Sequence, residues 1–290
     1  MTPTKALVLR TAGINCDGET VRALELAGAK VELVHLKRVL ERPARLFEHS
    51  LVVVPGGFSY GDDISAGRVF GLELRMSLAR ELASFVERGG YVLGVCNGFQ
   101  VLVESGLFEP GLRAKNQAGA SNSSGASSAS NSNNSGSTAG SAAERNIALY
   151  NNASNRFECR WVTLRGESCA ASWIDAGETI PMPVAHGEGR FVVRDAATLQ
   201  RLQANRQIAW RYVRADGTPA RSYPDNPNGS VDAIAGICDP TGRVLGLMPH
   251  PERNLSPWNH PHWTRLEPRS EGEGVRFYRH LVEAASSALV

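Results

Sequence analysis

Short apolar runs alternate with amphipathic stretches through the first hundred residues. The runs at 6–10, 31–36, 51–54 and 91–95 read as strands. Between the first two, Val21, Leu24 and Ala27 space one apolar helical face, with Asp17 as candidate N-cap and Gly28 as the stop. Strand, helix and strand in so short a span form a βαβ unit, which predicts parallel pairing and right-handed crossovers. Leu74, Leu78, Leu82 and Phe85 recur at three- and four-residue spacing, so residues 72–88 predict one crossover helix, terminated by Gly89 and Gly90. Residues 99–104 begin another helix that Gly106 ends.

The pattern then changes. Residues 116–143 hold only Ser, Asn, Ala and Gly apart from Gln117 and Thr138. Such a stretch buries too little surface to offset its chain entropy, and it is expected to be a disordered insertion. Beyond it, 155–164 alternates like a half-exposed strand, and 181–191 reads as a loop with a glycine turn. Residues 208–213 and 233–238 read as strands on either side of a turn-rich 225–230, in an antiparallel arrangement. An apolar strand from 244 and an amphipathic helix over 275–285 complete the chain. The expectation is a single domain over 1–290, an α/β fold of the flavodoxin-like kind. It has a mostly parallel open sheet flanked by helices, with additional antiparallel strands.

Composition narrows the class. Hydrophobic residues make up 42% and charged residues 21%, as in a soluble globular enzyme. A net charge of +2 gives no bulk electrostatic case for nucleic acid or membrane as a partner. Five scattered cysteines form neither a CxxC pair nor a disulfide framework, which points to free thiols in a reducing compartment. No apolar stretch approaches the roughly 18 residues of a membrane span, and the N-terminus runs into a strand without a signal-peptide core. A cytoplasmic location is expected.

The chemistry concentrates at three strand ends. Gly94-Val95-Cys96-Asn97-Gly98 joins a strand directly to a helix, so the small residues permit a tight turn that holds the thiol out at the sheet edge. The positive end of the helix dipole behind the sulfur favours thiolate. Pro55-Gly56-Gly57 follows another strand and can aim backbone N–H groups at a developing oxyanion. In an open parallel sheet, both turns open into one crevice. Pro249-His250-Pro251-Glu252 ends a third strand, and the carboxylate can orient the imidazole that takes the thiol proton. The expected catalytic set is therefore Cys96, His250 and Glu252. Cys16 has no evident base near it in the sequence and reads as structural, and Cys159 reads as an ordinary strand residue. His186 reads as lining the crevice more than as a base. His260 and His262 lack a supporting ligand cluster, so no metal is expected.

Taken together, Gly94-Val95-Cys96-Asn97-Gly98-Phe99-Gln100 and Pro249-His250-Pro251-Glu252-Arg253 resemble the class I (triad) glutamine amidotransferases. Pro55-Gly56-Gly57-Phe58-Ser59-Tyr60-Gly61-Asp62, the stretch from Phe157 to Val162, Ala185-His186-Gly187-Glu188-Gly189, and Asn226 to Ser230 ahead of Ile234 to Ile237 narrow the resemblance. They are similar to the glutaminase subunits of phosphoribosylformylglycinamidine synthase. The likeness spans nearly the whole chain except the low-complexity segment, which is foreign to the family pattern. It implies hydrolysis of glutamine by water, with Gly56, Gly57, Asn97, Gln100, His186 and Gly187 holding substrate. Ammonia would pass to a separate synthetase subunit in purine biosynthesis, with a small bridging subunit. No cofactor is implied in this chain, which has no GxxxxGK[ST] motif. ATP and Mg would sit on the partner. The alternatives are a glutaminase serving another synthetase, whose wording at 157–162 and 185–189 would differ, and a PfpI-like cysteine hydrolase of the same fold.

Overall fold

The computed structural model describes residues 3–109 and 145–287. The segment expected to be a disordered insertion, 116–143, lies outside the described residues.

The parallel half forms where the apolar runs are densest. β1 (Lys5–Arg10), β2 (Lys30–His35), β3 (Leu51–Val54) and β4 (Tyr91–Val95) pair in parallel in the order β2-β1-β3-β4, and β11 (Val244–Leu247) pairs in parallel with β4. β3 and β11 are buried at every residue, because helices cover both faces of a parallel sheet. Full burial of each such Leu or Val contributes about 1.5–3 kcal/mol relative to exposure. The sheet then continues antiparallel through β10 (Ile234–Cys238), β9 (Ile208–Val213), β6 (Glu158–Gly166) and the edge strand β7 (Thr179–His186). A separate antiparallel pair joins β5 (Ile147–Tyr150) and β8 (Arg190–Val193).

Seven described helices matter for the layers. α1 (Asp17–Leu26) follows β1, and its N-cap position is Cys16, not Asp17, which is the first helical residue. A short α2 (Leu36–Glu41) takes Leu36 from the expected second strand. The crossover read as one helix over 72–88 is two, α3 (Arg68–Ser77) and α4 (Ala79–Glu87), broken at Leu78 where φ is −132°. Leu78 is itself fully buried, so the apolar spacing persists across a break that hydropathy cannot register. α5 (Asn97–Ser105) leaves β4 directly and closes on Gly106 in the left-handed conformation, φ 80°. α6 (Ala196–Ala204) is capped by Asp195, and α7 (Glu273–Ser286) is the expected terminal helix, its apolar side buried.

The loop expected over 181–191 is a second correction. Thr179–His186 is a strand that alternates between buried and half-buried positions. Its Pro181 and Pro183 suggest a loop in sequence, yet an edge strand tolerates proline because its outer N–H groups have no ladder partner. The carbonyls of these prolines remain free to accept bonds from the loop that follows β11.

Candidate active site

Four loops meet at the carboxyl ends of β1, β3, β4 and β11. The β4–α5 junction is the most constrained of them. Cys96 adopts φ 51° and ψ −107°, a backbone state costing on the order of 1–3 kcal/mol for a residue with a side chain. Its neighbours impose the conformation. The Cys96 N–H donates to the Leu247 carbonyl at 2.8 Å, and its own carbonyl accepts from Gln100 N–H at 3.2 Å. Gly98 lies so close to β3 that a Cβ there would sit 1.8 Å from the Val54 carbonyl oxygen. The result is a buried cysteine whose thiol donates to the Ala185 carbonyl at 3.6 Å and borders a cavity of about 240 Å³.

The imidazole reaches this point from the far side of the sequence. His250 N–H donates to the Pro183 carbonyl at 2.8 Å, and Asn254 Nδ2 donates to the Pro181 carbonyl at 2.9 Å, so the loop after β11 is clipped to edge strand β7. His250 Nδ1 and Glu252 Oε1 lie 2.6 Å apart, both side chains being almost wholly buried. That bond fixes the tautomer and leaves Nε2 for chemistry. Nε2 is buried and has no hydrogen-bond partner among the described residues. Burial works against charge on this ring. Glu252, Cys96 and Cys16 oppose that effect and together push its pKa well above the ordinary value.

Gly56 is the hinge of the arrangement. A Cβ at this position would lie 2.9 Å from His250 Cε1, 3.2 Å from Cys16 Sγ and 3.5 Å from Cys96 Cβ, so only glycine lets the three side chains converge. Gly57, at φ 147°, lines the cavity beside Cys96. The Asn97 side chain turns inward: its Oδ1 accepts from Ser59 N–H at 3.1 Å, and its Nδ2 donates to Asp62 Oδ1 and Gln100 Oε1. The expected contact of Asn97 with substrate therefore falls to its backbone N–H, in the first turn of α5, where the helix supplies no acceptor. Gln100 lines the cavity, with its Nε2 donating to the Glu188 carbonyl.

His186 also lines the cavity, at the end of a strand and not in a loop. Its Nδ1 pairs with Asn152 Oδ1 at 3.0 Å, and the same oxygen accepts from Gly189 N–H at 3.1 Å. Asn228 Nδ2 donates to the Gly189 carbonyl at 2.7 Å. Asn152 and Asn228 thus hold the 187–189 turn from below. Burial and the neighbouring His250 lower the His186 pKa to about 3, so its ring is neutral at physiological pH and is no companion base.

Several participants were not legible in advance. Cys16 is buried beside the triad: Arg253 Nη2 donates to its sulfur at 3.1 Å, and the thiol donates to Asn15 Oδ1 at 3.4 Å. The sequence around Cys16 shows no base, and the fold supplies one from a distance, because His250 packs against it. Cys16, His250 and Glu252 bring ligand-type atoms within 4.8 Å of one another, yet the Arg253 guanidinium puts a positive charge where a cation would sit. Asp62 and Glu188 stand inside motifs already singled out, but nothing in the wording distinguishes them from turn residues. Both line the cavity.

Comparison with known proteins agrees with this geometry. Residues 3–283 match the model of the CobB/CobQ-like glutamine amidotransferase domain. Among similar proteins is phosphoribosylformylglycinamidine synthase subunit PurQ of Methanococcus maripaludis, 38% identical over 89% of this chain and 85% of that protein. The corresponding subunits of Dehalococcoides mccartyi (37%, over 98% and 99%) and Treponema denticola (41%, over 87% and 88%) are alike too. Among solved structures, PurLQS from Thermotoga maritima superposes with a TM-score of 0.65 at 29% identity, covering 98% of this chain and 99% of the other. The chain belongs to the CobB/CobQ-like glutamine amidotransferase domain family, among relatives that are PurQ subunits of phosphoribosylformylglycinamidine synthase.

Proposed function

We propose that this chain is the glutamine-hydrolysing subunit of phosphoribosylformylglycinamidine synthase. It releases ammonia from glutamine for a separate synthetase subunit, which converts formylglycinamide ribonucleotide to the amidine in purine biosynthesis. The observation that carries the reading is the strained Cys96 elbow at the cavity wall, with the His250–Glu252 pair converging on it across Gly56.

In this mechanism the Cys96 sulfur attacks the side-chain amide carbonyl of glutamine after His250 Nε2 takes the thiol proton. Glu252 holds the ring and balances the imidazolium. The backbone N–H groups of Gly57 and Asn97 face the developing oxyanion; removing one such donor typically costs about 10²–10³ in rate. His250 then returns its proton to the departing ammonia, and water, activated by the same imidazole, hydrolyses the glutamyl thioester.

ATP and Mg belong to the synthetase in this reading, and a small bridging subunit completes the assembly. Phe58 and Phe157 stand exposed at the cavity rim, an apolar border suited to a protein partner. No helix among the described residues is long and apolar enough to cross a membrane, which is compatible with a cytoplasmic complex.

The test is glutamate and ammonia release by the purified chain, with and without its synthetase partner, ATP and formylglycinamide ribonucleotide. Release that rises with the partner and vanishes in Cys96→Ala supports the reading. No release from the complete assembly sinks it.

A further inference from the structure

Two buried cysteines have no part in the chemistry at Cys96. Cys169 stands in the loop after β6, and Cys238 is the last residue of β10. The fold brings both to one knot of backbone, with Arg206 at its centre. The Arg206 carbonyl accepts from Ala170 N–H at 2.7 Å and lies 3.7 Å from Cys238 Sγ. Its guanidinium donates to the Cys169 carbonyl at 3.2 Å. Cys169 Sγ in turn lies 3.5 Å from the Ala171 carbonyl oxygen. The turn after Cys238 closes on the same residues, since a Cβ at Gly242 would sit 2.2 Å from the Ala170 carbonyl oxygen. Gln207 holds Cys238 from the other side. Its carbonyl accepts from Cys238 N–H at 2.7 Å, and its Nε2 donates to the Cys238 carbonyl at 3.1 Å. Both sulfurs thus meet at residues 170–171, where the two thiols hydrogen-bond to each other.

We propose that Cys169 and Cys238 are a dithiol that small disulfides oxidise reversibly to an intramolecular disulfide. The link staples the loop after β6 to the β10–β11 turn.

The surroundings sort the two sulfurs into attacking and resolving roles. The hydrogen bond with Cys238 and the Arg206 guanidinium lower the Cys169 pKa against the opposing effect of burial. The same hydrogen bond and burial push the Cys238 thiol up. Cys169 also has the better access, 5% exposed against 0%. Its thiolate attacks one sulfur of the small disulfide, whose S–S bond breaks and releases a first thiolate. Cys238 then gives up its proton and attacks the Cys169 sulfur, expelling a second thiolate. Two protein thiols are oxidised, one small disulfide is reduced, and the two protein protons end on the released thiolates.

The pair sits at the other end of the sheet from the nucleophile. Cys238 is in register with Leu245 near the start of β11, whereas Cys96 follows the end of β4 that pairs with Leu247. The expected effect is therefore on stability. A cross-link that closes so long a loop constrains the denatured chain, and Tm is expected to rise by about 5–10 °C.

The test incubates the purified full chain with hydroxyethyl disulfide, quenches it with an alkylating agent in denaturant, and maps the peptides by mass spectrometry. A peptide pair joined through Cys169 and Cys238 is expected, released by dithiothreitol. The Tm should rise with the link and return on reduction. In Cys238→Ser the attacking sulfur has no resolving partner, so Cys169 should be caught as the mixed disulfide and the Tm should not rise. Exposed Cys159 is the internal control for the reagent. Mixed disulfide at Cys159 with Cys169 and Cys238 both alkylated overturns the inference, a readout that needs no variant to fold. So does a stable mixed disulfide on wild-type Cys169, or a Cys169–Cys238 link that leaves the Tm where it was.

Discussion

Cys16 and Cys96 occupy matching places in the fold and have different work. Each follows a parallel strand of one sheet, each is the N-cap residue of the next helix, and each is buried. Cys16 has φ −101° and ψ 12°, an unstrained backbone, and its sulfur turns toward Arg253 behind the imidazole. Cys96 has φ 51°, and its side chain is thrust to the cavity. The helix dipole is common to both, so it does not decide which thiol is the nucleophile. In the proposed mechanism backbone strain decides it, by aiming the Cys96 sulfur at the cavity.

The sharpest break of the pair is Cys96→Ser against Cys16→Ser, measured as glutamine hydrolysis by the assembled enzyme. Removing a nucleophile costs on the order of 10⁴-fold or more in kcat. Cys16→Ser keeps a group that can accept from Arg253 and is expected to lose less than about tenfold. Comparable losses in the two variants would refute the division of roles drawn here.

The same pair shows what a sequence can and cannot carry. The Cys96 elbow was legible because all its requirements are local: an apolar run, small residues on both sides of the cysteine, and a helix that follows. His250 and Glu252 were legible because they are two residues apart at a strand end. The surroundings of Cys16 were not legible because its neighbours come from elsewhere in the chain: Gly56 from the β3 loop, and His250 and Arg253 from the loop after β11. No periodicity or spacing reports a contact across such a separation. The fold divides in the same way. Residues 51–54, 91–95 and 208–213 match their strands at both ends, since a run buried on both faces announces itself. The helix break at Leu78 and the edge strand at Thr179–His186 were missed, because a buried break keeps its apolar spacing and an edge strand accepts prolines.

Gly56 separates the two sulfurs, and filling it gives an intermediate effect. In Gly56→Ala the new methyl would stand 2.9 Å from His250 Cε1, closer than such atoms approach, and 3.2 Å from Cys16 Sγ. The imidazole is held by Glu252 and cannot retreat without losing that bond. A displacement of about 1 Å in a catalytic group can cost about 10²-fold. Gly56→Ala is expected to lower kcat by 10–100-fold, with KM for glutamine nearly unchanged and a stability loss of about 1–3 kcal/mol from overpacking. Steady-state kinetics with a parallel denaturant titration reads both. A fall confined to KM would place the strain in the substrate cavity and not at the imidazole.

The smallest expected effect isolates what Cys16 does to His250. Burial lowers the pKa of that ring, and Glu252, Cys96 and Cys16 raise it by more. Cys16→Ala removes one upward contribution, so the folded pKa falls, while Glu252 and Cys96 still act to raise it. The catalytic base must be unprotonated to accept the thiol proton, so the acid limb of kcat/KM, a macroscopic property of the Cys96–His250 pair, should move to lower pH. Cys16→Ser should leave it nearer the wild type. Stability gives an independent reading with a fixed sign. A raised histidine pKa stabilises the fold fully below the unfolded value near 6.5, and that contribution is lost as pH rises through the folded value. The destabilisation by Cys16→Ala should therefore be larger below pH 6.5 than above the folded pKa. If the acid limb stays in place and the stability loss is the same at every pH, Cys16 fills space behind the imidazole and tunes nothing.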